Sequence, residues 1–297
     1  MGRPLQCSTE CRVDRPLGTH LTAATTADTI ITCEAAVVSK RVQSTFSGSP
    51  CHPVVLPAEV APNRSAIHQP NFFPRLKVLH KLVLAGRWIV LDDVQYVPRE
   101  WQNRCRLRFY SAPEHEFWLT ASVTRPFGLS SKISEVSVSS PGELARRVTQ
   151  SMRHAYRRSP HWGWISKYID LCLTSIGPQL VVTCTRTITA CLELLGLRIP
   201  FIQSSVLNAD GNRSARLVAL CKAASVSDYV SGSGSRSYLD TALFASEGIT
   251  VTWQQWIAPT ELLPGYRDPW RDYSFVDYVA RFGPSALKDH LGLHSKG

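Results

Sequence analysis

The sequence predicts an α/β fold, with a mixed, mostly parallel sheet opened by a β-α-β unit and a helical segment in the middle. Three observations lead to this prediction. A strand, helix and strand pattern begins near residue 65, three helical patterns follow one another in mid-chain, and short strands alternate with helices after residue 200. A strand, a helix and a second strand in succession are typical of a crossover between parallel strands.

The opening unit is the best-defined part of the pattern. Ser65–His68 is a short apolar strand, and a loop with two prolines follows it. Leucines at helical spacing then run to Gly86, which is a helix-ending residue. Trp88–Leu91 is continuously apolar, as expected for a strand buried on both faces, and it stops at Asp92-Asp93.

The remaining elements follow from the same two periodicities. Strands are predicted next, the first two as a hairpin, at Arg104–Tyr110, Phe117–Val123 and Lys132–Val138. The central helices are predicted at Glu143–Arg157, Trp162–Ile176 and Gln179–Leu195. The last part alternates between strands at Phe201–Val206, Tyr229–Ser231 and Ile249–Trp253 and helices at Arg213–Ala224, 240–248, Phe275–Phe282 and Ala286–Leu291.

Aromatic residues divide the chain into two parts. Phe46 is the one Phe, Tyr or Trp of residues 1–66, which also hold fourteen Ser and Thr. Such a segment buries too little apolar area to offset the entropy of ordering it. Residues 1–64 are therefore predicted to be a disordered extension. The alternative is that they are not part of the natural protein, because the next Met after Met1 is Met152 and a true start at a non-Met codon around Val55 to Val60 would have been missed. Residues 65–297 are predicted to form the α/β enzyme domain.

Charge and cysteine usage restrict the partners and the compartment. The net charge is +10, and all but one unit of it falls after residue 66. This balance favours an anionic small molecule such as a nucleotide-sugar, and it leaves nucleic acid as an alternative. Nine cysteines without a Cys-x-x-Cys pair fit a reducing cytoplasm, and no apolar run is long enough for a transmembrane segment.

Two polar clusters follow the first two predicted strands. His68, Gln69 and Asn71 precede the first helix, where free backbone N–H groups suit an anionic group. Asp92 and Asp93 end the second strand and are expected to point to opposite faces. One of the two is expected to act as a general base or to hold a divalent cation, while the other caps a turn or pairs with an Arg.

Three further clusters carry candidate site residues. Arg104 and Arg106 share one strand face and form a candidate clamp for a phosphate or carboxylate. His154 lies off the apolar stripe of its helix and is a candidate general acid or base. The loop from Ser231 to Arg236 contains two glycines that let the backbone approach a phosphate, although Ser237 stands where a dinucleotide fingerprint needs a third.

The combination of these motifs resembles the WbqC-like protein family. The resemblance rests on His68-Gln69-Pro70-Asn71, Leu-Asp92-Asp93-Val-Gln95-Tyr96, Trp101-Gln-Asn103-Arg104-x-Arg106, His154-x-Tyr156 and Gly232-x-Gly234-x-x-x-Tyr238-Leu-Asp240, in that order. The sequence departs from the family pattern at residues 75–78 and at Cys105, where the family usually has Asn.

The resemblance implies a transferase of bacterial surface-polysaccharide (O-antigen type) biosynthesis that attaches glycine or another amino acid to an activated sugar. The residues implied to be catalytic are Asp93, His154, Asp92 and His68. Those implied to bind substrate are Gln69, Asn71, Gln95, Tyr96, Trp101, Asn103, Arg104, Arg106, Tyr156, Gly232, Gly234, Arg236, Tyr238 and Asp240. Two alternatives stay open: a nucleotide-using enzyme related to nucleotidyltransferases, and a basic nucleic-acid-binding module.

Overall fold

The computed structural model describes residues 63–259 and 270–293. They belong to one compact unit. The predicted extension, apart from its last two residues, lies outside the described residues. No helix in the described part of the chain has the length and apolar character needed to cross a bilayer.

Nine strands and seven helices make up the described chain. The strands are β1 (Arg64–His68), β2 (Trp88–Val90), β3 (Arg104–Phe109), β4 (Ala112–Thr120), β5 (Val123–Thr124), β6 (Ser137–Val138), β7 (Phe201–Gln203), β8 (Asp228–Gly232) and β9 (Thr250–Gln254). The helices are α1 (Leu76–Ala85), α2 (Pro141–Tyr156), α3 (Trp162–Leu173), α4 (Leu180–Leu194), α5 (Arg213–Ala223), α6 (Thr241–Ser246) and α7 (Phe275–His290).

The central sheet has five strands, all parallel, in the order β7-β2-β1-β8-β9. Numbered along the chain, this order is 3-2-1-4-5. The chain leaves β1 toward β2 and β7 and later returns to the other side of β1 through β8 and β9. The strand order therefore reverses between β1 and β8, which is where open parallel sheets place their ligand crevice. The predicted α/β class is confirmed, and antiparallel pairing is limited to the small β3-β4 and β5-β6 hairpins.

The sheet separates two hydrophobic cores. Neighbouring residues of a strand face opposite sides, so that Ala66 packs with α1 in the larger core while Ile67 packs with α5 and α6 in the smaller one. Helix α1 is amphipathic and ends at Gly86, whose φ of 67° suits glycine. The five described cysteines are free and buried, as small apolar residues usually are.

Two local predictions need correction. Lys132–Val138 is not one strand, because Ile133–Glu135 forms a 3-10 turn before the two-residue β6. Phe201–Val206 is a strand over its first three residues alone, since Ser204–Val206 forms another 3-10 turn. The two predicted C-terminal helices form α7, which is interrupted at Gly283 (φ 84°).

Candidate functional site

The carboxyl edge of the central sheet brings three of the predicted clusters together. His68 ends β1, Asp92 and Asp93 follow β2, and Gly232 ends β8. The β1-β8 register, continued by two residues, places His68 beside Gly232. The loops after β1 and β8 thus border the crevice at which the strand order reverses.

Asp92 fastens the end of β2 to the turn after β7. Its carboxylate is fully buried and accepts hydrogen bonds from the backbone N–H of Ser205 (3.0 Å) and the Ser205 hydroxyl (2.9 Å), and the Ser204 hydroxyl oxygen lies 3.1 Å away. These contacts correspond to the turn-capping role expected for one of the two carboxylates. The two Ser205 contacts occupy both oxygens of Asp92. This carboxylate therefore fits a structural role, in which it braces the end of β2 against the turn after β7, better than the expected role as a cation ligand.

Asp93, unlike the buried Asp92, lines a polar cavity. Its carboxylate accepts a hydrogen bond from the Ser204 hydroxyl (2.5 Å) and forms an ion pair with Arg216 of α5. The cavity has a volume of about 320 Å³ and is lined by charged residues of both signs, among them Lys132, Glu135 and Asp210. In the described residues, no group of three or more His, Cys, Asp or Glu is arranged to hold a metal ion.

His68 lies against a lysine that the sequence motifs do not contain. Lys81 of α1 is 8% exposed, and its Nζ lies 3.1 Å from His68 Nδ1 and 3.3 Å from the backbone oxygen of Ile67. Burial, followed by the positive charge of Lys77, lowers the pKa of Lys81 to about 8. Burial, with Lys81 and Arg75 next in importance, holds the pKa of His68 well below its usual value. His68 is therefore neutral at pH 7 beside a charged lysine.

The loop after β1 is fixed by the segment that precedes β3. Gln102 donates a hydrogen bond to Gln69 (2.5 Å), and the Phe72 N–H donates to the backbone oxygen of Trp101 (2.9 Å). Asn71 is buried, yet its Oδ1 has no hydrogen-bond partner among the described residues. Asn103 is also buried and donates to the backbone oxygen of Ala121 (3.0 Å).

Arginines and aromatic rings alternate in a stack formed by the loop before α1, the loop before β3 and the β3-β4 hairpin. The guanidinium of Arg75 lies 4.2 Å from the Trp101 ring centroid, the Trp101 and Trp118 rings are 5.5 Å apart, and Arg104 lies 4.0 Å from the Trp118 ring. Such stacking holds a guanidinium in place and leaves the edge of Arg104 available to an anion, whereas Arg75 is paired with Asp272 (3.2 Å). Arg106 is instead paired with Glu116, so the predicted Arg104–Arg106 clamp would need this ion pair to open.

The other motif residues lie in different surroundings. Gln95 is exposed and donates to the backbone oxygen of Leu129 (2.8 Å), whereas Tyr96 is buried. Gly232 precedes a 3-10 turn and Gly234 lies within it, and a Cβ built on Gly234 meets nothing within 4 Å. The space above this glycine is therefore open to a ligand.

The residues after the glycine loop have local partners or face solvent. Arg236 lies 5.0 Å from the Trp253 ring, and Tyr238 is 72% exposed. Asp240 caps α6 by accepting a hydrogen bond from the Leu243 N–H (3.0 Å).

His154 and Tyr156 are not brought to the carboxyl edge. His154 is exposed on α2, lies edge-on to Phe109, and lines a cavity of about 340 Å³ that shares no lining residue with the Asp93 cavity. Tyr156 is buried in the core, where its hydroxyl lies 3.4 Å from the Asp277 carboxylate.

Sequence reasoning missed four residues of this edge: Lys81, Ser204, Ser205 and Arg216. A signal was present for Lys81 alone, because it lies three residues after Val78 and four before Ala85, on the buried face of α1. A lysine on such a face, with no acidic residue at helical spacing, marks a buried amine.

The fold is that of an α/β protein whose parallel sheet reverses its strand order between β1 and β8, the position at which such sheets bind ligands. The model of the WbqC-like protein family matches residues 69–289, and the chain belongs to that family. It is also similar to "Uncharacterized protein Rv1507c" of Mycobacterium tuberculosis (strain ATCC 25618 / H37Rv), with 26% identity over 204 residues, which are 68% of this chain and 84% of the relative. No solved structure matches it significantly.

Proposed function

We propose that this protein is a transferase of bacterial surface-polysaccharide biosynthesis that binds an activated, phosphate-bearing sugar at the carboxyl edge and attaches an amino acid such as glycine. The polysaccharide context comes from the family resemblance. The observation that carries the proposal is the charge around His68. Basic side chains outnumber acidic ones in this region. The basic ones whose charges shift pKa values here are Arg75, Lys77, Lys81 and Arg271, and the acidic ones are Asp272 and Glu100.

This excess of positive charge favours a phosphate group in the crevice. Arg104 extends it, since its guanidinium is stacked on Trp118 and its Nε has no partner among the described residues. The open space at Gly234 lets a second phosphate oxygen approach the backbone. Asp93 is the proposed base that deprotonates the attacking amine or hydroxyl, because it follows β2 at the same edge of the sheet and its carboxylate lines a polar cavity there.

A second candidate, direct use of a nucleotide, is favoured by the strand order. Sheets with the 3-2-1-4-5 arrangement bind nucleotides at the switch point, and here that point lies between His68 and Gly232.

The test is a thermal-shift panel on the full chain with nucleotide-sugars, ATP with and without magnesium, glycine and single-stranded DNA. We expect a nucleotide-sugar to raise the Tm, and Arg104→Ala to remove the shift. The control variant is Arg146→Ala, since Arg146 is exposed on α2 and paired with Glu143. Stabilisation by ATP alone would favour the second candidate. Stabilisation by DNA alone, lost at high salt, would favour a nucleic-acid-binding module.

A further inference from the structure

We infer that Lys81 holds His68 in the neutral tautomer protonated on Nε2, so that His68 presents an N–H group to an anionic oxygen of the bound ligand. The inference deepens the proposed function, on which it rests for the identity of the ligand as a phosphate-bearing molecule. Lys81 is a positioning residue in this scheme, and His68 is the group that touches the ligand.

The contacts of Lys81 determine the tautomer. A charged ammonium group has three N–H donors and no acceptor. Its Nζ lies within hydrogen-bond distance of the Ile67 oxygen and of His68 Nδ1, so it donates to both. Nδ1 must then carry a lone pair, and the single ring proton of the neutral imidazole lies on Nε2.

The surroundings keep His68 neutral and Lys81 charged at pH 7. The charged side chains that act on this pair are Arg75 and Lys77, both basic, and they disfavour a proton on His68. Lys81 retains its charge up to a pKa of about 8, so the donor arrangement persists through neutral pH. A neutral imidazole can still polarise a ligand oxygen through its N–H group.

The Nε2 atom has nothing to donate to in the described residues. It is shielded from solvent and makes no hydrogen bond, and the nearby Asn71 Oδ1 also makes none. Asn71 is close enough to oppose the lowering of the His68 pKa, but it does not meet hydrogen-bond geometry. A shielded N–H without an acceptor is destabilising. A phosphate oxygen placed next to His68 Nε2 would supply the missing acceptor.

The chemical class of ligand follows from the donor set. An N–H group, a neighbouring ammonium and stacked guanidiniums all bind oxygen anions, and a phosphate has enough acceptor oxygens for all of them. When the attacking amine or hydroxyl forms its bond to the sugar carbon, the bond from that carbon to the phosphate oxygen breaks, and the electron pair leaves as charge on this oxygen. His68 would therefore stabilise the leaving group without needing to transfer its own proton.

The test is nitrogen-15 NMR of the histidine rings of the full chain at pH 7, with inorganic phosphate as the probe. We expect His68 to show a protonated Nε2 and an unprotonated Nδ1, and phosphate to shift the Nε2 signal. Lys81→Met should abolish the tautomer preference and weaken phosphate binding about tenfold or more, which is the loss expected for a charged contact. The exposed His115 and His154 serve as internal controls whose signals Lys81→Met should leave unchanged.

The other outcomes each decide a point. A proton on Nδ1 in the unchanged protein would overturn the inference, even if nucleotide-sugars are turned over. A protonated Nε2 that phosphate does not shift would show that the N–H serves Asn71, and it would overturn the role in anion binding. A phosphate shift at His68 in a protein that turns over no activated sugar would refute the proposed transferase and leave this inference standing.

Discussion

Asp93 is paired with Arg216 of α5, although 123 residues separate the two along the chain. The same carboxylate accepts a hydrogen bond from Ser204, whose hydroxyl also lies 3.1 Å from Asp92. The Ser204 hydroxyl thus contacts two carboxylates that lie in different surroundings. Asp92 is buried and hydrogen-bonded to the turn after β7, while Asp93 lies at the surface of a polar cavity.

The first prediction concerns Asp93 and His154. Asp93→Asn should lower turnover of the activated sugar by about 100-fold or more, the usual effect of removing a general base. His154→Ala should leave turnover within about threefold, because His154 lines a different cavity. Steady-state kinetics of both variants, with far-UV circular dichroism to show that each is folded, make the comparison. Equal losses in the two variants would mean that the cavities act together.

The second prediction concerns Asp92. Asp92→Asn keeps one acceptor for the Ser205 N–H but replaces the second oxygen with an N–H₂ group, so the Ser205 hydroxyl must rotate to accept and the hydrogen bonds lose their charged acceptor. We expect a loss of about 1–3 kcal/mol in the free energy of unfolding, measured with urea. Asp240→Asn is the matched control, since Asn is as good an N-cap as Asp and the α6 cap is near the surface. A stability of Asp92→Asn equal to that of the control would contradict the bracing role.

The opening unit and the three central helices were predictable because their periodicity is local. Lys132–Val138 was predicted wrongly as a strand, although its buried residues Ile133 and Val136 are three apart, the spacing of the 3-10 turn that is present. Pairings such as Asp93 with Arg216 depend on how distant elements pack, and no local pattern indicates them. The sequence pointed to residues of the carboxyl edge. It could not show that both oxygens of Asp92 accept hydrogen bonds or that His154 lines a different cavity.

The third prediction is that Lys81→Met stabilises the protein. The pKa of Lys81 falls from 10.5 to about 8 on folding. The unfolded state therefore binds more protons between pH 8 and 10.5, and the stability of the unchanged protein rises with pH across that window. Below pH 8 the buried charge is a full cost, so Lys81→Met should gain about 1–3 kcal/mol at pH 7 after the lost hydrogen bonds are counted.

Thermal unfolding of both proteins between pH 6 and 10.5 tests this prediction. The gain should shrink as the pH rises above 8 and disappear near 10.5. The control is Lys222→Met, because Lys222 is exposed and its ion pair with Glu247 contributes little. A gain that is constant with pH would mean that improved packing by Met, rather than the removed charge, stabilises the variant.

The fourth prediction concerns the break in α7. Gly283 has a φ of 84°, and a Cβ built on it would lie 2.6 Å from the His161 ring. Gly283→Ala should therefore lower the free energy of unfolding by about 1–3 kcal/mol, through backbone strain and displacement of the His161 ring. Gly163→Ala, in the first turn of α3, is the matched control, because a Cβ there meets nothing within 4 Å and alanine favours the helix. Urea unfolding should show a loss in the first variant and a small gain in the second. A gain in both would mean that His161 moves aside without cost and that α7 does not need its break.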